Sequence, residues 1–147
     1  MDINDLELFL GVRAKQLQPK RVRQFRSGMV GVARGQIGRL NVVNTAAPGS
    51  LARPVVSPAW TKNPRSERLV QSTFILEPGM SVFLDVDGDA IAAGDERRHE
   101  VRAEVTALDD LDCACVVTLE VFDKETGKTT ALIEVAEAQA VGPRGER

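Results

Sequence analysis

Residues 99–106 read HEVRAEVT, a run in which Val101, Ala103 and Val105 alternate with charged side chains. Residues 115–121, CVVTLEV, repeat the same two-residue period, with Cys115 and Leu119 in the apolar phase. Successive side chains of a β-strand point to opposite faces, so this period is typical of a strand with one buried and one solvated face. The two runs predict an antiparallel sheet whose inner face lies against a core.

Shorter runs of the same period lie on both sides, separated by turn signals. EPGM, residues 77–80, predicts a type II turn, because Pro presets the first central dihedral and Gly accepts a positive φ at the second. DKETGK, residues 123–128, predicts a hairpin with Gly127 in the left-handed region. The flanking runs are expected to point these side chains inward: Leu40, Val42, Val70, Phe74, Leu76, Val82, Leu84, Val86, Ala131, Ile133 and Val135.

The length and composition fit one globular unit. The chain has 147 residues, of which 43% are hydrophobic, 27% charged and 4% aromatic, so aliphatic side chains must form the core. We predict an all-β fold, an immunoglobulin-like antiparallel β-sandwich of about seven strands, with a small closed barrel as the alternative. The sandwich is expected over residues 29–141, after an N-terminal arm, residues 1–28, and before a tail, residues 142–147.

Residues 47–64 interrupt the strand pattern with four of the seven prolines. Because proline lacks the N–H that a strand ladder needs, the segment is predicted to be an edge strand or a long loop. Trp60 lies within it. Two interpretations stand equally: a contact anchor for a partner, or a lid folded onto the core.

Three segments resemble a group of uncharacterised bacterial β-sandwich proteins. They are residues 35–44 (GQIGRLNVVN), residues 76–89 (LEPGMSVFLDVDGD) and residues 116–130 (VVTLEVFDKETGKTT). The resemblance implies an immunoglobulin-like fold and no established activity. The chain departs from the group in its basic arm and in the proline-rich segment, where the group has a plain strand.

Charge is distributed unevenly along the chain, although the formal net charge is −2. Residues 1–80 carry 12 Lys and Arg against 5 Asp and Glu, whereas residues 81–147 carry 7 against 16. Either strands from both halves mix in one sandwich, or copies pair head to tail. A candidate interaction surface is formed by basic and aromatic residues: Lys20, Arg21, Arg23, Phe25, Arg26 and Trp60.

The carboxylates of Asp85, Asp87, Asp89 and Glu96 occupy positions 1, 3, 5 and 12 of a calcium-loop register. Ala90 stands at position 6, where such loops need Gly, and the flanks have strand character. A solvated acidic turn is the competing interpretation.

Nothing in the sequence forms a catalytic motif, so no enzyme activity and no cofactor are predicted. His99 is the single histidine, and Cys113 with Cys115 lacks enough nearby ligands for zinc, so two reduced thiols are expected. The acidic N-terminus does not resemble a secretory signal and no run is long enough to span a membrane. A cytoplasmic protein is the default, and a mature secreted chain remains the alternative.

These patterns predict a non-enzymatic structural or assembly module that associates with itself, or with another protein, through its N-terminal arm. The alternative is a ligand-binding module, for Ca²⁺ at residues 85–96 or for a small molecule in a cleft. Nucleic-acid binding is not expected, since the second half is acidic.

Overall fold

The computed structural model describes residues 21–62, 67–91, 98–109 and 115–138, which form ten strands and one helical turn. Residues 1–20 of the predicted arm and the whole predicted tail lie outside these ranges. The elements in chain order are β1 (Arg21–Arg26), β2 (Val30–Ala33), β3 (Gln36–Asn44), β4 (Val55–Lys62), β5 (Glu67–Gln71), β6 (Phe74–Ile75), β7 (Ser81–Asp87), α1 (Gly88–Ile91), β8 (Arg98–Asp109), β9 (Cys115–Asp123) and β10 (Thr129–Glu134).

The strands form two antiparallel sheets, so the all-β prediction is confirmed, and the predicted count of about seven strands is corrected to ten within the described ranges. In the six-stranded sheet, β8 pairs with β4 on one side and with β1 and β2 on the other, and β4 also pairs with β5 and β6. The four-stranded sheet has the order β10-β9-β3-β7. The extra strands arise because each edge of the six-stranded sheet consists of two short strands, β1 and β2 at one edge and β5 and β6 at the other.

The alternation in β8 and β9 places the core as predicted. Every second residue of each strand is buried, from His99 to Ala107 in β8 and from Cys115 to Val121 in β9. Leu40 and Val42 of β3 complete the inner face of the four-stranded sheet. One hydrophobic cluster fills the space between the sheets.

The prediction of an edge strand or a long loop for residues 47–64 holds for residues 47–54, which form no strand, and is wrong for β4, which lies between β8 and the β5–β6 edge. Within a strand, the N–H and C=O of one residue point to the same neighbour. The Pro58 carbonyl accepts from Ser72 N at 3.2 Å, so its missing N–H faces the gap between β5 and β6. The proline therefore removes no hydrogen bond from the ladder between β4 and β8.

Residues 21–26, expected in the arm, form β1 in register with β8 from Arg21↔Asp109 to Arg26↔Glu104. The chain also crosses between the sheets here. After β10, Val135 N donates to Val117 O at 2.8 Å, and Ala138 N then donates to Gln24 O of β1 at 2.7 Å. Residues 135–138, which we call the strap, tie the edge of one sheet to the edge of the other.

The two predicted turns are present, with Gly79 at φ 78° and Gly127 at φ 72°. β10 departs from its prediction. Val135 is buried as expected, but Ile133 is 42% exposed. β10 is an edge strand with a register shift between Thr129 and Ala131, so its inward phase is covered incompletely.

Candidate interaction surface

The acidic residues after β7 are held by a lysine. Lys124 Nζ lies 2.7 Å from Asp87 Oδ1 and 2.9 Å from Asp89 Oδ2. Asp89 also accepts from Gly35 N at 2.9 Å. The hydrogen bonds to Lys124 lower the pKa of both carboxyls, and the same bonds raise the pKa of Lys124. This arrangement fastens α1 to the hairpin after β9.

Asp85 points to the outer face of the four-stranded sheet, where it binds Arg39 through two contacts. Arg39 Nε lies 2.8 Å from Asp85 Oδ1, and Arg39 Nη2 lies 2.9 Å from Oδ2. The guanidinium lies between two aromatic rings. Its Cζ is 4.1 Å from the ring centroid of Phe83 and 5.1 Å from that of Phe122. The hydrogen bonds that Arg39 donates to Asp85 raise the pKa of Arg39.

The structure therefore separates Asp85 from Asp87 and Asp89 among the four predicted calcium ligands. Asp85 binds Arg39, whereas Asp87 and Asp89 bind Lys124, and Glu96 lies outside the described residues. Within the described ranges, no group of three His, Cys, Asp or Glu side chains is placed to hold a metal ion.

The predicted interaction residues of the basic segment lie in β1, apart from Lys20, which is outside the described residues. Arg23 forms an ion pair with Glu137 of the strap, and Arg26 lies 3.9 Å from Glu104 of β8. Phe25 is buried in the core, while Arg21 is exposed at the start of the strand. Basic residues of the first half thus meet acidic residues of the second within one chain.

Trp60 is a core residue. Its side chain is fully buried in β4, and its Nε1 donates to the Leu84 carbonyl of β7 at 3.0 Å. The ring also lies against Gly38, where an added Cβ would come within 3.1 Å of it. Of the two interpretations of Trp60, a partner contact or a lid on the core, its burial agrees with the second. His99 and Cys115 are buried too, and Cys113 lies outside the described residues.

The outer edge of β10 is the feature that the sequence analysis did not single out. Among the described strands, only β9 pairs with β10. Leu132 is 70% exposed on the outer face. The signal was an apolar residue in the outward phase of the run from Ala131 to Val135, where a charged or polar side chain is expected.

A groove of about 480 Å³ runs beside this edge, between β10 and β2. Apolar side chains from both strands line it, with Arg98, Gln36 and Thr130 as its polar groups; the apolar members include Met29, Val30, Ala131 and Ile133. The side of the sandwich that carries β2 and β10 thus combines an open strand edge with apolar surface.

Comparisons with known proteins bear on the fold. No family model and no curated protein matches the chain. The chain is similar to the crystal structure of Thermotoga maritima 1070, with a TM-score of 0.51, 14% identity, and coverage of 78% of this chain and 92% of that chain. At this identity the likeness concerns the fold alone. Within the described ranges, no helix is long and apolar enough to cross a membrane.

Proposed function

We propose that this chain is a structural or assembly module that associates with polypeptides, above all with copies of itself, through the edge of β10. The observation that carries the proposal is Leu132, an exposed apolar side chain on a strand whose outer edge meets no other described strand. Open strand edges present unpaired backbone groups and accept further strands.

The composition of β10 supports this role. Its sequence, TTALIE, has high β-propensity, no proline or lysine, and one charge, at Glu134. Native edges that stay monomeric are usually blunted by such charges, by proline or by bulges. β10 has a register shift at its start, and the stretch from Ala131 to Glu134 is regular.

Two finer predictions accompany the proposal. The predicted arm, residues 1–28, is expected to reach a neighbouring copy through its residues 1–20, whose run LELFL, residues 6–10, would suit the apolar groove. An immunoglobulin-like arrangement of the sheets is the predicted sandwich type.

The test is the mass of the full chain in solution, measured by light scattering over a range of concentrations. We expect mass to rise with concentration, and Leu132→Lys to keep the chain monomeric. Leu51→Lys is the matched control, since Leu51 is 74% exposed in the segment between β3 and β4. A monomeric full chain at every concentration, or equal loss in both variants, would count against the proposal.

The groove favours one alternative, a small apolar ligand with a group that Arg98 would bind. Its volume of about 480 Å³ lies in the range of ligand pockets. Calcium at residues 85–96 remains a further prediction. Calorimetric titration of the full chain with Ca²⁺ tests it, and binding would have to displace Lys124 from Asp87 and Asp89.

A further inference from the structure

We infer that β10 pairs antiparallel with β10 of a second copy in a register centred on Leu132, which joins two four-stranded sheets into one of eight strands. The inference rests on the proposed function and names the partner and the geometry.

The direction of the backbone groups follows from the ladder with β9. Val135 N donates to Val117 O at 2.8 Å, so Val135 faces β9. Hydrogen-bonded pairs alternate along an antiparallel ladder, and the register Ile133↔Leu119 continues the same phase. Leu132 and Glu134 therefore direct their N–H and C=O groups away from β9, toward the open edge.

A two-fold axis perpendicular to the sheet keeps inner faces together and outer faces together. Residues that lie opposite each other must then belong to the same face. With the axis at Leu132, this residue lies opposite Leu132 of the second copy, and each donates its outward N–H to the other's C=O. Ile133 lies opposite Ala131 of the second copy, and Glu134 lies beside the register shift at Thr130.

The two neighbouring registers that keep like faces together give less favourable side-chain pairs or an irregular backbone at the axis. Centring on Ile133 places Leu132 opposite Glu134, which sets an apolar side chain against a charge. Centring on Ala131 places the axis within the register shift between Thr129 and Ala131. The register centred on Leu132 pairs the regular residues 131–133 and buries Leu132, the most exposed apolar side chain of β10, together with part of Ile133.

A second copy is the occupant that the edge favours. About Leu132 the regular stretch is self-complementary: Leu132 lies opposite Leu132, Ala131 lies opposite Ile133, and no Glu134 lies opposite another Glu134. Because the regular paired stretch is only residues 131–133, the interface is small and we expect weak, concentration-dependent dimers.

Two variants of the full chain separate the backbone from the side chain. Leu132→Pro removes the outward N–H without removing a bond to β9, and Leu132→Lys adds a charge at the axis. Each is expected to raise the dimer dissociation constant by about tenfold or more, since two exposed leucines lose their burial. Circular dichroism of both variants checks that the sandwich is retained.

Isotope-filtered NMR on a mixture of labelled and unlabelled full chains tests the register. We expect intermolecular contacts between the Hα atoms of Ala131 and Ile133, the closely spaced pair beside the axis. Dimers without these contacts, and insensitive to Leu132→Lys, would overturn this inference while leaving self-association in place. Contacts of residues 1–20 with β10 within one chain would overturn it as well, and a chain monomeric throughout would overturn both proposals.

Discussion

β7 and β10 are the two edges of the same four-stranded sheet, and the chain treats them differently. In β7, Asp85 forms an ion pair with Arg39, and Asp87 forms one with Lys124. The Leu84 carbonyl of β7 accepts a hydrogen bond from Trp60 Nε1 of the opposite sheet. β5 also lies against it. β10 carries one charge and leaves Leu132 exposed.

The difference separates what holds the monomer together from what remains free to bind. Contacts within the described chain secure β7, whereas the outer edge of β10 adds exposed surface without adding to the core. Changes on the β7 side should therefore lower the free energy of unfolding, and changes on the β10 edge should affect association instead.

Trp60→Ala is expected to have the largest effect, because it empties the contact between β4 and β7. Replacement of a buried aromatic side chain costs about 3–5 kcal/mol. Chemical denaturation measures the loss. The control Phe83→Ala, at a site 55% exposed, should cost about 1 kcal/mol or less. Equal losses of unfolding free energy in the two variants would contradict the packing of Trp60 between β4 and β7.

Gly88→Ala should rank second. Its Cβ would lie 1.9 Å from the Ala33 carbonyl oxygen, so the backbone after β7 must shift. Overpacking of this kind costs about 1–3 kcal/mol. Gly28→Ala is the matched control, since nothing lies within 4 Å of its added Cβ. Thermal unfolding that fails to distinguish the two variants would show that α1 is not packed as described.

Lys124→Gln should give a smaller loss that depends on pH. Lys124 lowers the pKa of Asp87 below its ordinary value of 3.8, so this carboxylate stabilises the folded state above that pH. The contribution is lost as pH falls through the lowered folded value.

The free energies of unfolding of the parent chain and Lys124→Gln should therefore differ at pH 7 and converge near the acid limit. Lys128→Gln makes the same charge change in the same hairpin and serves as the control. A difference that persists unchanged in acid would exclude the ion pairs as its cause.

Leu132→Lys should have the smallest effect on the monomer. A substitution on an exposed edge usually changes stability by about 0.5 kcal/mol or less. Denaturation at low concentration measures this, and a loss as large as that of Gly88→Ala would mean that Leu132 packs within its own chain.

The strands with strict alternation were predictable from sequence. In β8 and β9, Val101, Val105, Val117 and Leu119 are buried as the two-residue period indicates. The turn at Gly79 followed from its dihedral preference. These features depend on neighbouring residues alone.

Features that depend on distant residues were not predictable. Pro58 is tolerated inside the sheet because the facing strand is broken at residues 72–73, which no local pattern shows. Residues 21–26 looked like a basic arm because their acidic partners, Glu104 and Glu137, are far along the chain. The cations beside the acidic residues, Arg39 and Lys124, were hidden for the same reason.

The exchange of the Leu132 amide hydrogen with solvent, followed by NMR at increasing concentrations of the full chain, tests the open edge most directly. This N–H points away from β9, whereas that of Ile133 points toward it. We expect Leu132 to exchange rapidly at low concentration and slowly at high concentration, while Ile133 is protected throughout. Protection of Leu132 that does not change with concentration would contradict this expectation.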